Sequence, residues 1–255
     1  LAASAFGDAA LLLERYLPAP RHVEVQLLAD GLGAARCLST RDCSVQRRHQ
    51  KLIEEAPAPG IAPEVVRRLH EAARTVARAV GYRSAGTVEF LYADGEFWFM
   101  EMNTRLQVEH TVTEEVLGID LVEWQLRIAS GEALPAGPDP EPKGHAIEVR
   151  VCAEDAAAGF VPSAGTLGLV RWPRGMPGLR VDAGFAGGDV VPSNYDSLLA
   201  KVIAHGATRV EALGRLRAAL ATLRVDGVAT NAAWLEAALA CDGFAATTPT
   251  TRFVA

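Results

Sequence analysis

The chain has 255 residues, of which 49% are hydrophobic, and its formal net charge is −6 at pH 7. This hydrophobic fraction is enough for a sizeable core and argues against an intrinsically disordered chain. The acidic balance argues against nucleic-acid binding, which needs a basic surface. No apolar run approaches the roughly 18 residues of a membrane-spanning helix. From the charge we therefore expect no nucleic acid as partner, and from the lack of such a run we expect no membrane.

The first residues have neither the basic start nor the apolar stretch of a signal peptide. No Met begins the chain, so we interpret it as a piece of a longer protein. The four cysteines, Cys37, Cys43, Cys152 and Cys241, are scattered and form no C-x-x-C pair. This pattern is typical of reduced thiols in a cytosolic or organelle-matrix protein, and we expect a cytoplasmic one rather than a disulfide scaffold or a zinc site.

Strand and helix patterns alternate at the start of the chain. Residues 22–27 alternate polar and apolar side chains, which predicts a half-buried strand. A turn at 30–33 leads into a second strand at 34–40. Pro63 begins a helix and Gly81 ends it. The predicted core face of this helix comprises Val66, Leu69, Ala73, Val76 and Val80.

A hairpin and two helices follow. Strands at 85–93 and 96–103 meet at the turn Asp94-Gly95. Gly118 ends the first helix, and Asp120 caps the second.

Four prolines make the stretch 132–143 unsuitable for a helix or a central strand. We therefore predict a first domain at 1–133, a Pro-rich linker at 134–143 and a second domain at 144–255. The second domain is predicted to contain strands at 146–153, 166–172, 179–182 and 198–204, then helices beginning near Thr208 and Asn231.

Polar residues alternate along residues 101–109. If the run is extended, its odd-numbered side chains project from the same side. They are Glu101, Asn103, Arg105, Gln107 and Glu109. The pattern alone favours the solvated face of an ordinary hairpin. The lack of Lys and Ser at these positions argues instead for a site.

The partner of Glu101 depends on the hairpin turn. A two-residue turn would place Glu89 opposite Met100, whereas a bulged three-residue loop at 94–96 places it opposite Glu101. We predict the bulged register because it matches the aromatic residues of the two strands better. Opposed carboxylates repel unless a cation lies between them, and with Asn103 this all-oxygen set suits Mg²⁺ or Mn²⁺.

A basic run covers residues 41–51. Its Arg, Lys, Gln and His donors can hold a polyphosphate or a small oxyanion. A solvated basic loop is the ordinary alternative, and a nucleic-acid patch is disfavoured by the acidic total charge. The sequence contains no Walker A motif and no dinucleotide-binding G-x-G-x-x-G in its context, so neither kind of nucleotide site is supported.

These clusters carry a resemblance to the signature segments of biotin carboxylase, and it spans nearly the whole chain. The segments are RDCSVQRRHQK at 41–51, EEAPAPG at 54–60, GTVEF at 86–90, EMNTRLQVEH at 101–110, GHAIEVR at 144–150 and NYDS at 194–197. The resemblance implies an α+β fold, in which an ATP-grasp lobe with antiparallel sheet and helices precedes a smaller domain of mixed sheet and helix. It is strongest to the biotin-carboxylase subunit of acyl-CoA carboxylases.

The resemblance also implies a reaction, the ATP- and bicarbonate-dependent carboxylation of biotin on a carrier protein through carboxyphosphate. The implied metal ligands, for Mg²⁺ or Mn²⁺, are Glu89, Glu101 and Asn103. The implied nucleotide contacts are Glu14, Leu17, His22, Gln46 and His49. The implied bicarbonate contacts are Lys51, Arg105, Gln107 and Val108. The implied catalytic residues are Glu109 as general base and Arg150 beside the biotin enolate, with Arg105 and Lys51.

The implied partners are a biotin carboxyl carrier domain or protein and a carboxyltransferase subunit, and a homo-oligomer is compatible with the family. The family's N-terminal Rossmann-like subdomain and glycine-rich lid have no counterpart in this sequence, so we expect the fragment to be inactive alone. Two interpretations stay open: a fragment of a catalytic biotin carboxylase, and a truncated non-catalytic module for assembly or nucleotide binding. Other ATP-grasp ligases are a weaker alternative because they do not share residues 105–109.

Overall fold

The computed structural model describes residues 1–246 and 248–254. Its helices are α1 (Ala2–Phe6), α2 (Pro63–Ala79), α3 (His110–Leu117), α4 (Leu121–Ala129), α5 (Arg209–Thr222), α6 (Ala232–Ala240) and α7 (Asp242–Ala245). Its strands are β1 (Arg21–Asp30), β2 (Ala35–Arg47), β3 (Gln50–Ala56), β4 (Arg83–Ala93), β5 (Glu96–Asn103), β6 (His145–Cys152), β7 (Glu154–Asp155), β8 (Val161–Pro162), β9 (Gly165–Thr166), β10 (Val170–Arg171), β11 (Leu179–Ala183), β12 (Val190–Val191), β13 (Leu198–Gly206) and β14 (Arg224–Val225).

Eight strands form one sheet in the order β11-β13-β6-β3-β2-β1-β4-β5, and all neighbouring pairs are antiparallel. Helices pack against this sheet, which confirms the predicted α+β class. Residues 134–143 contain neither helix nor strand. The sheet is nevertheless continuous across them, since β3 precedes them, β6 follows them, and Ile53 lies opposite Val149 in their pairing. The division into two domains stays a prediction. Backbone hydrogen bonds between β3 and β6 join the two predicted domains.

Strand β1 is buried on both faces, so the predicted half-buried strand is wrong. All ten of its residues are buried, and Glu24 and Gln26 have no exposed surface. Arg41 of β2 supplies the reason, because it donates hydrogen bonds to both of these side chains. Buried polar groups are tolerated where their hydrogen bonds are satisfied. The alternation in β1 therefore indicates a polar interior.

The basic run 41–51 forms a β-hairpin rather than a solvated loop. Strand β2 extends well past the predicted end at residue 40, and β3 pairs with it. The turn between them contains Arg48 and His49, whose φ angles are positive at 48° and 69°. Most side chains before this turn are buried, so the run belongs to the centre of the sheet.

Helix α2 begins at Pro63 as predicted, and Gly81, with a φ of 58°, follows its end. Its buried residues are Val65, Leu69, Ala73 and Ala77, which pack on β1 and β2. The predicted face was therefore partly wrong. Val80 lies beyond the last helical residue and is 65% exposed, because the helix ends before it can be covered by the sheet.

Two predicted helix caps are present. Asp120 Oδ1 accepts a hydrogen bond from the backbone N of Glu123 at 2.8 Å, at the start of α4. Thr208 Oγ1 accepts from the backbone N of Glu211 at 3.2 Å, at the start of α5. Each cap satisfies a backbone donor that the first helical turn leaves without a partner. Among the described residues, no helix has the length and apolar character to cross a bilayer.

Three of the four strands predicted after the linker are present, as β6, β11 and β13. The strand predicted at 166–172 is instead divided into β9 and β10. Between these two, the backbone N of Gly168 donates to Asp226 O, and that of Leu167 donates to Asp189 O. The backbone at this point therefore bonds to loops rather than to one neighbouring strand.

Candidate active site

The hairpin of β4 and β5 places Glu89 opposite Glu101, as predicted. The turn, however, contains only Asp94 and Gly95, with positive φ angles of 52° and 80°, and the bulge lies within β5 at Met100. A two-residue turn of this kind matches the right-handed twist of paired strands, so the predicted three-residue loop is wrong. The extra residue inside β5 restores the facing pair of carboxylates.

The extended run predicted for 101–109 ends with β5, and a loop leads from there into α3. Its odd-numbered side chains nevertheless line one cavity. Two buried cations hold the loop in place: Lys201 Nζ donates to Val108 O at 2.6 Å, and Arg41 Nη2 donates to Gln107 Oε1 at 3.1 Å. Strand geometry therefore accounts for Glu101 and Asn103, which belong to β5, whereas these contacts hold the loop at Gln107 and Val108.

The cavity has a volume of about 830 Å³ and brings together every predicted site residue except Glu14. These residues are Leu17, His22, Gln46, His49, Lys51, Glu89, Glu101, Asn103, Arg105, Gln107, Val108, Glu109 and Arg150. Glu14 is exposed and lies outside the lining. It belongs to residues 7–19, which contain neither helix nor strand, so no pairing directs its side chain into the cavity.

Two carboxylates and an amide converge on one side of the cavity. Asn103 Nδ2 lies 3.1 Å from Glu89 Oε1 and 3.1 Å from Glu101 Oε1. Burial raises the pKa of Glu89, but the hydrogen bond from His22 and the charge of Lys51 lower it to about 2. This carboxylate is therefore ionised at neutral pH. An all-oxygen set that includes an ionised carboxylate fits Mg²⁺.

Lys51 is surrounded by carboxylates. Its Nζ lies 2.7 Å from Glu24 Oε2 and 2.9 Å from Glu89 Oε1, and it also contacts Glu109 Oε1. Burial lowers the pKa of Lys51, but these carboxylates hold it above its usual range. For the carboxyl of Glu24, burial instead raises the pKa, but the charges of Lys51 and Arg41 lower it to about 2. These groups therefore stay charged at neutral pH.

Glu109 lies between two cations. Its Oε1 accepts a hydrogen bond from Lys51 Nζ, and its Oε2 accepts one from Arg150 Nη2 at 3.0 Å. Burial raises the pKa of Glu109, but the surrounding cations hold it below its usual value. Arg150 also donates from Nε to Glu54 Oε1 at 2.6 Å. An ionised carboxylate thus lines the cavity beside two groups that can hold an anion.

The remaining predicted residues also line the cavity. His22 is buried, and its Nδ1 lies 3.3 Å from Gln46 Nε2. Leu17 is half-buried in the segment before β1. His49, in the β2–β3 turn, and Arg105, in the loop after β5, are both exposed. These two side chains extend toward solvent, where an entering ligand would meet them.

Several charged side chains whose burial was not predicted from the sequence lie beneath the site. They are Glu24, Arg41, Glu54 and Lys201. Arg41 donates to Glu24, Gln26, Thr87, Gln107 and Thr113, which occupies all of its N–H donors. The polar side of the β1 alternation was a usable signal for Glu24. Glu54 and Lys201 gave no local signal, because their partners are distant in sequence.

The comparisons with known proteins cover nearly the whole chain. A family model described as the carbamoyl-phosphate synthase L chain, ATP binding domain, matches residues 1–137, and a biotin carboxylase C-terminal domain model matches residues 148–255. The chain is 52% identical to the biotin carboxylase of Pseudomonas aeruginosa over 231 residues, which cover 90% of this chain and 51% of that protein. It is 48% identical over 256 residues to the mitochondrial methylcrotonoyl-CoA carboxylase subunit alpha of Arabidopsis thaliana, covering 99% and 35% of the two chains.

The fold is likewise similar to a solved biotin carboxylase domain of a thermophilic 2-oxoglutarate carboxylase bound to bicarbonate. The TM-score is 0.95 with 42% identity, and the match covers 99% of this chain and 57% of that one. The chain therefore belongs to the biotin carboxylase family. It spans about half of the Pseudomonas relative and about a third of the Arabidopsis relative.

Proposed function

We propose that this chain is the nucleotide- and bicarbonate-binding part of an ATP-dependent biotin carboxylase. In the proposed reaction, an oxygen of bicarbonate bonds to the γ-phosphorus of ATP as the bond to ADP breaks. The resulting carboxyphosphate then transfers its carboxyl group to N1′ of biotin as its C–O bond to phosphate breaks, and the phosphate released takes the N1′ proton. The observation that supports this best is the position of Glu109 between Lys51 and Arg150, in the cavity that also holds the all-oxygen set.

The metal and the nucleotide would occupy neighbouring parts of the cavity. Glu89, Glu101 and Asn103 would hold Mg²⁺, and the same donors suit Mn²⁺. An ion held there would supply positive charge to offset that of the phosphates during transfer. The proposed nucleotide contacts are Glu14, Leu17, His22, Gln46 and His49. A solved biotin carboxylase domain from Hydrogenobacter thermophilus, to which this chain is 42% identical with a TM-score of 0.93, contains MgADP and bicarbonate.

Bicarbonate is proposed to lie beside Lys51, Arg105, Gln107 and Val108, where cationic and amide donors can hold its oxygens. Glu109, which is ionised, would take the proton of bicarbonate as its oxygen attacks. Bound bicarbonate would share the hydrogen bonds of Lys51 and Arg150 that Glu109 receives in this structure. That competition would raise the basicity of Glu109 when the substrate is present.

Biotin would enter next to Arg150. The guanidinium group would stabilise the negative charge that develops on the ureido group as N1′ loses its proton. Arg150 suits this role because two carboxylates, those of Glu54 and Glu109, already hold it in position. The proposed partners are therefore a biotin carboxyl carrier domain or protein, and a carboxyltransferase subunit that passes the carboxyl group on.

Three further proposals concern the protein as a whole. We propose a cytoplasmic location, which the free thiols Cys37, Cys43 and Cys152, all buried, support. We propose a homo-oligomer, since the solved Hydrogenobacter domain is described as a dimer. We also propose that residues 1–255 alone do not hydrolyse ATP, because they contain no glycine-rich lid for the phosphates.

The test uses the intact protein that contains these residues. ATP hydrolysis is measured with and without bicarbonate, and with and without free biotin, for the original protein and for Glu109→Gln. We expect hydrolysis that depends on bicarbonate and is stimulated by biotin. Removing the base should lower that rate by at least about 100-fold while ATP binding stays within a few-fold.

Glu71→Gln is the matched control, since Glu71 is an exposed carboxylate on α2 that is remote from the cavity lining. It should leave the rate unchanged. An intact protein that binds ATP but shows no bicarbonate-dependent hydrolysis would contradict the proposal. That outcome would favour the alternative of a non-catalytic nucleotide-binding module.

A further inference from the structure

Two buried glutamates lie side by side behind Arg150. Glu54 on β3 is directly opposite Glu148 on β6, and neither has exposed surface. Directly opposed residues of antiparallel strands have Cβ atoms about 5 Å apart, so their carboxyl groups can reach each other. Two ionised carboxylates in this buried position would repel each other strongly.

In each carboxyl group of the pair, one oxygen accepts a hydrogen bond and the other does not. Glu54 Oε1 accepts from Arg150 Nε at 2.6 Å, and Glu148 Oε2 accepts from the hydroxyl of Thr111. The other oxygen of each group, Glu54 Oε2 and Glu148 Oε1, is buried and has no partner among the residues that the structure describes. A buried ionised oxygen without a donor is unfavourable by the full loss of its hydration. One proton between these two oxygens would satisfy both.

We propose that Glu54 and Glu148 share a single proton, carried on Glu148 Oε1 and donated to Glu54 Oε2, and that this pair positions Arg150. Glu54 then keeps the negative charge and holds Nε of Arg150. The Nη2 of the same guanidinium group is left to face Glu109 and the cavity. Glu54 and Glu148 are therefore positioning residues for the proposed biotin carboxylation, and the role assigned to Arg150 rests on that proposed function.

The surrounding charges support one proton rather than none or two. The pKa of Glu148 is raised to about 8. Burial is the largest cause and the charge of Glu54 adds to it, whereas Lys201, whose Nζ lies 3.9 Å from Glu148 Oε2, lowers the pKa. Burial also raises the pKa of Glu54, against the opposing charge of Arg150. Thr111 and Arg150 further lower the pKa of Glu148, whereas Glu109 raises and Lys51 lowers that of Glu54. One carboxyl is thus expected to stay protonated at neutral pH while its neighbour stays ionised.

Infrared spectroscopy observes the proton directly and needs no catalytic activity. The intact protein at pH 7 should show the C=O band of a protonated carboxyl group, which shifts in D₂O. Glu148→Gln should remove this band. Glu55→Gln is the matched control on the same strand: the carboxylate of Glu55 accepts from His145 and Arg209, and these partners hold its pKa below the usual value against the effect of burial. That substitution should leave the band in place.

The dependence of unfolding on pH provides a second readout. A carboxyl whose pKa is higher in the folded protein binds its proton more tightly there than in the unfolded chain. Stability is therefore lost as pH rises from the usual glutamate value of about 4.5 towards about 8. Glu148→Gln should flatten the urea-unfolding midpoint over this range, since the amide keeps the donor and does not titrate.

Biotin-stimulated ATP hydrolysis tests the positioning role. Glu54→Gln removes the charge that holds Arg150 and should lower the stimulated rate by about tenfold or more. The loss in Glu148→Gln should be several-fold smaller, because its amide can donate to Glu54 as the acid does. Absence of the infrared band, its survival in Glu148→Gln, or equal losses of rate in the two variants would each overturn the proposal. If the intact protein does not carboxylate biotin at all, the spectra and unfolding curves still decide whether the proton is shared.

Discussion

Replacing Arg41 with methionine removes the cation that lies beneath the cavity. Methionine keeps most of the length and packing of the side chain but none of its hydrogen bonds. Arg41 and Glu24 both have no exposed side-chain surface, so water cannot take over the lost contacts. Arg41 also holds Gln107, a predicted bicarbonate contact, and the change should therefore disturb the loop after β5 as well as the sheet.

The expected loss of stability follows from the partners left behind. Breaking a buried ion pair from one side costs roughly 3–5 kcal/mol, because the remaining charge stays buried. Glu24 retains Lys51 as a second cation, which places this contribution near the lower limit. The amide oxygens of Gln26 and Gln107 each lose a donor, at about 1 kcal/mol apiece, whereas the two threonine hydroxyls can rotate. We expect the free energy of unfolding to fall by about 5 kcal/mol.

Urea unfolding of the intact protein measures this loss, and hydrogen exchange of residues 104–109 reports the loop. Arg68→Met is the matched control, since the Arg68 side chain is 53% exposed and pairs with Glu96 on the surface. That substitution should cost less than about 1 kcal/mol. If both variants lose the same stability, or if Arg41→Met leaves exchange in the loop unchanged, the role assigned to the buried guanidinium group is wrong.

Three other outcomes are expected. Glu101→Gln should raise the Mg²⁺ concentration for half-maximal ATP hydrolysis about tenfold or more, measured by Mg²⁺ titration, and an unchanged requirement would contradict the metal assignment. The pKa values of Glu24 and Glu89, both about 2, are below the usual 4.5. The stability that these groups contribute is therefore present above pH 4.5 and lost as pH falls towards 2. Urea midpoints should decline over that interval, and a flat profile would refute this. Gly144→Ala should destabilise the protein by about 2–3 kcal/mol in urea unfolding. Gly144 has a positive φ of 71°, and an added Cβ would lie 2.2 Å from the carbonyl oxygen of Gly206. Gly159→Ala, with a φ of 75° but open space, should cost clearly less.

The candidate site consists of opposite charges that are buried together and compensate one another. Lys51 and Arg150 are held by carboxylates that are themselves fixed in the central sheet. Such an arrangement needs little reorganisation when an anionic substrate enters, because the donors already face the cavity. The proposed carboxylation therefore depends on the sheet as much as on the loop after β5.

Local features of the chain were predictable from the sequence because their causes lie within a few residues. Pro63 begins α2, and Asp120 and Thr208 cap the helices that follow them. The Asp94-Gly95 pair marks the hairpin turn, since only a few residue types accept positive φ. The site residues were predicted from long segments that resemble the family, and all of them except Glu14 line one cavity.

The tertiary structure decided which side chains are buried and which groups they meet. The facing of Glu89 and Glu101 was predicted, but it comes from a bulge at Met100 that no local pattern indicated. Arg41 was grouped with ligand-binding donors, yet its partners come from four different segments and enclose it completely. Such contacts are set by the order of strands in the sheet and by satisfaction of buried polar groups, and both depend on residues far apart in the sequence.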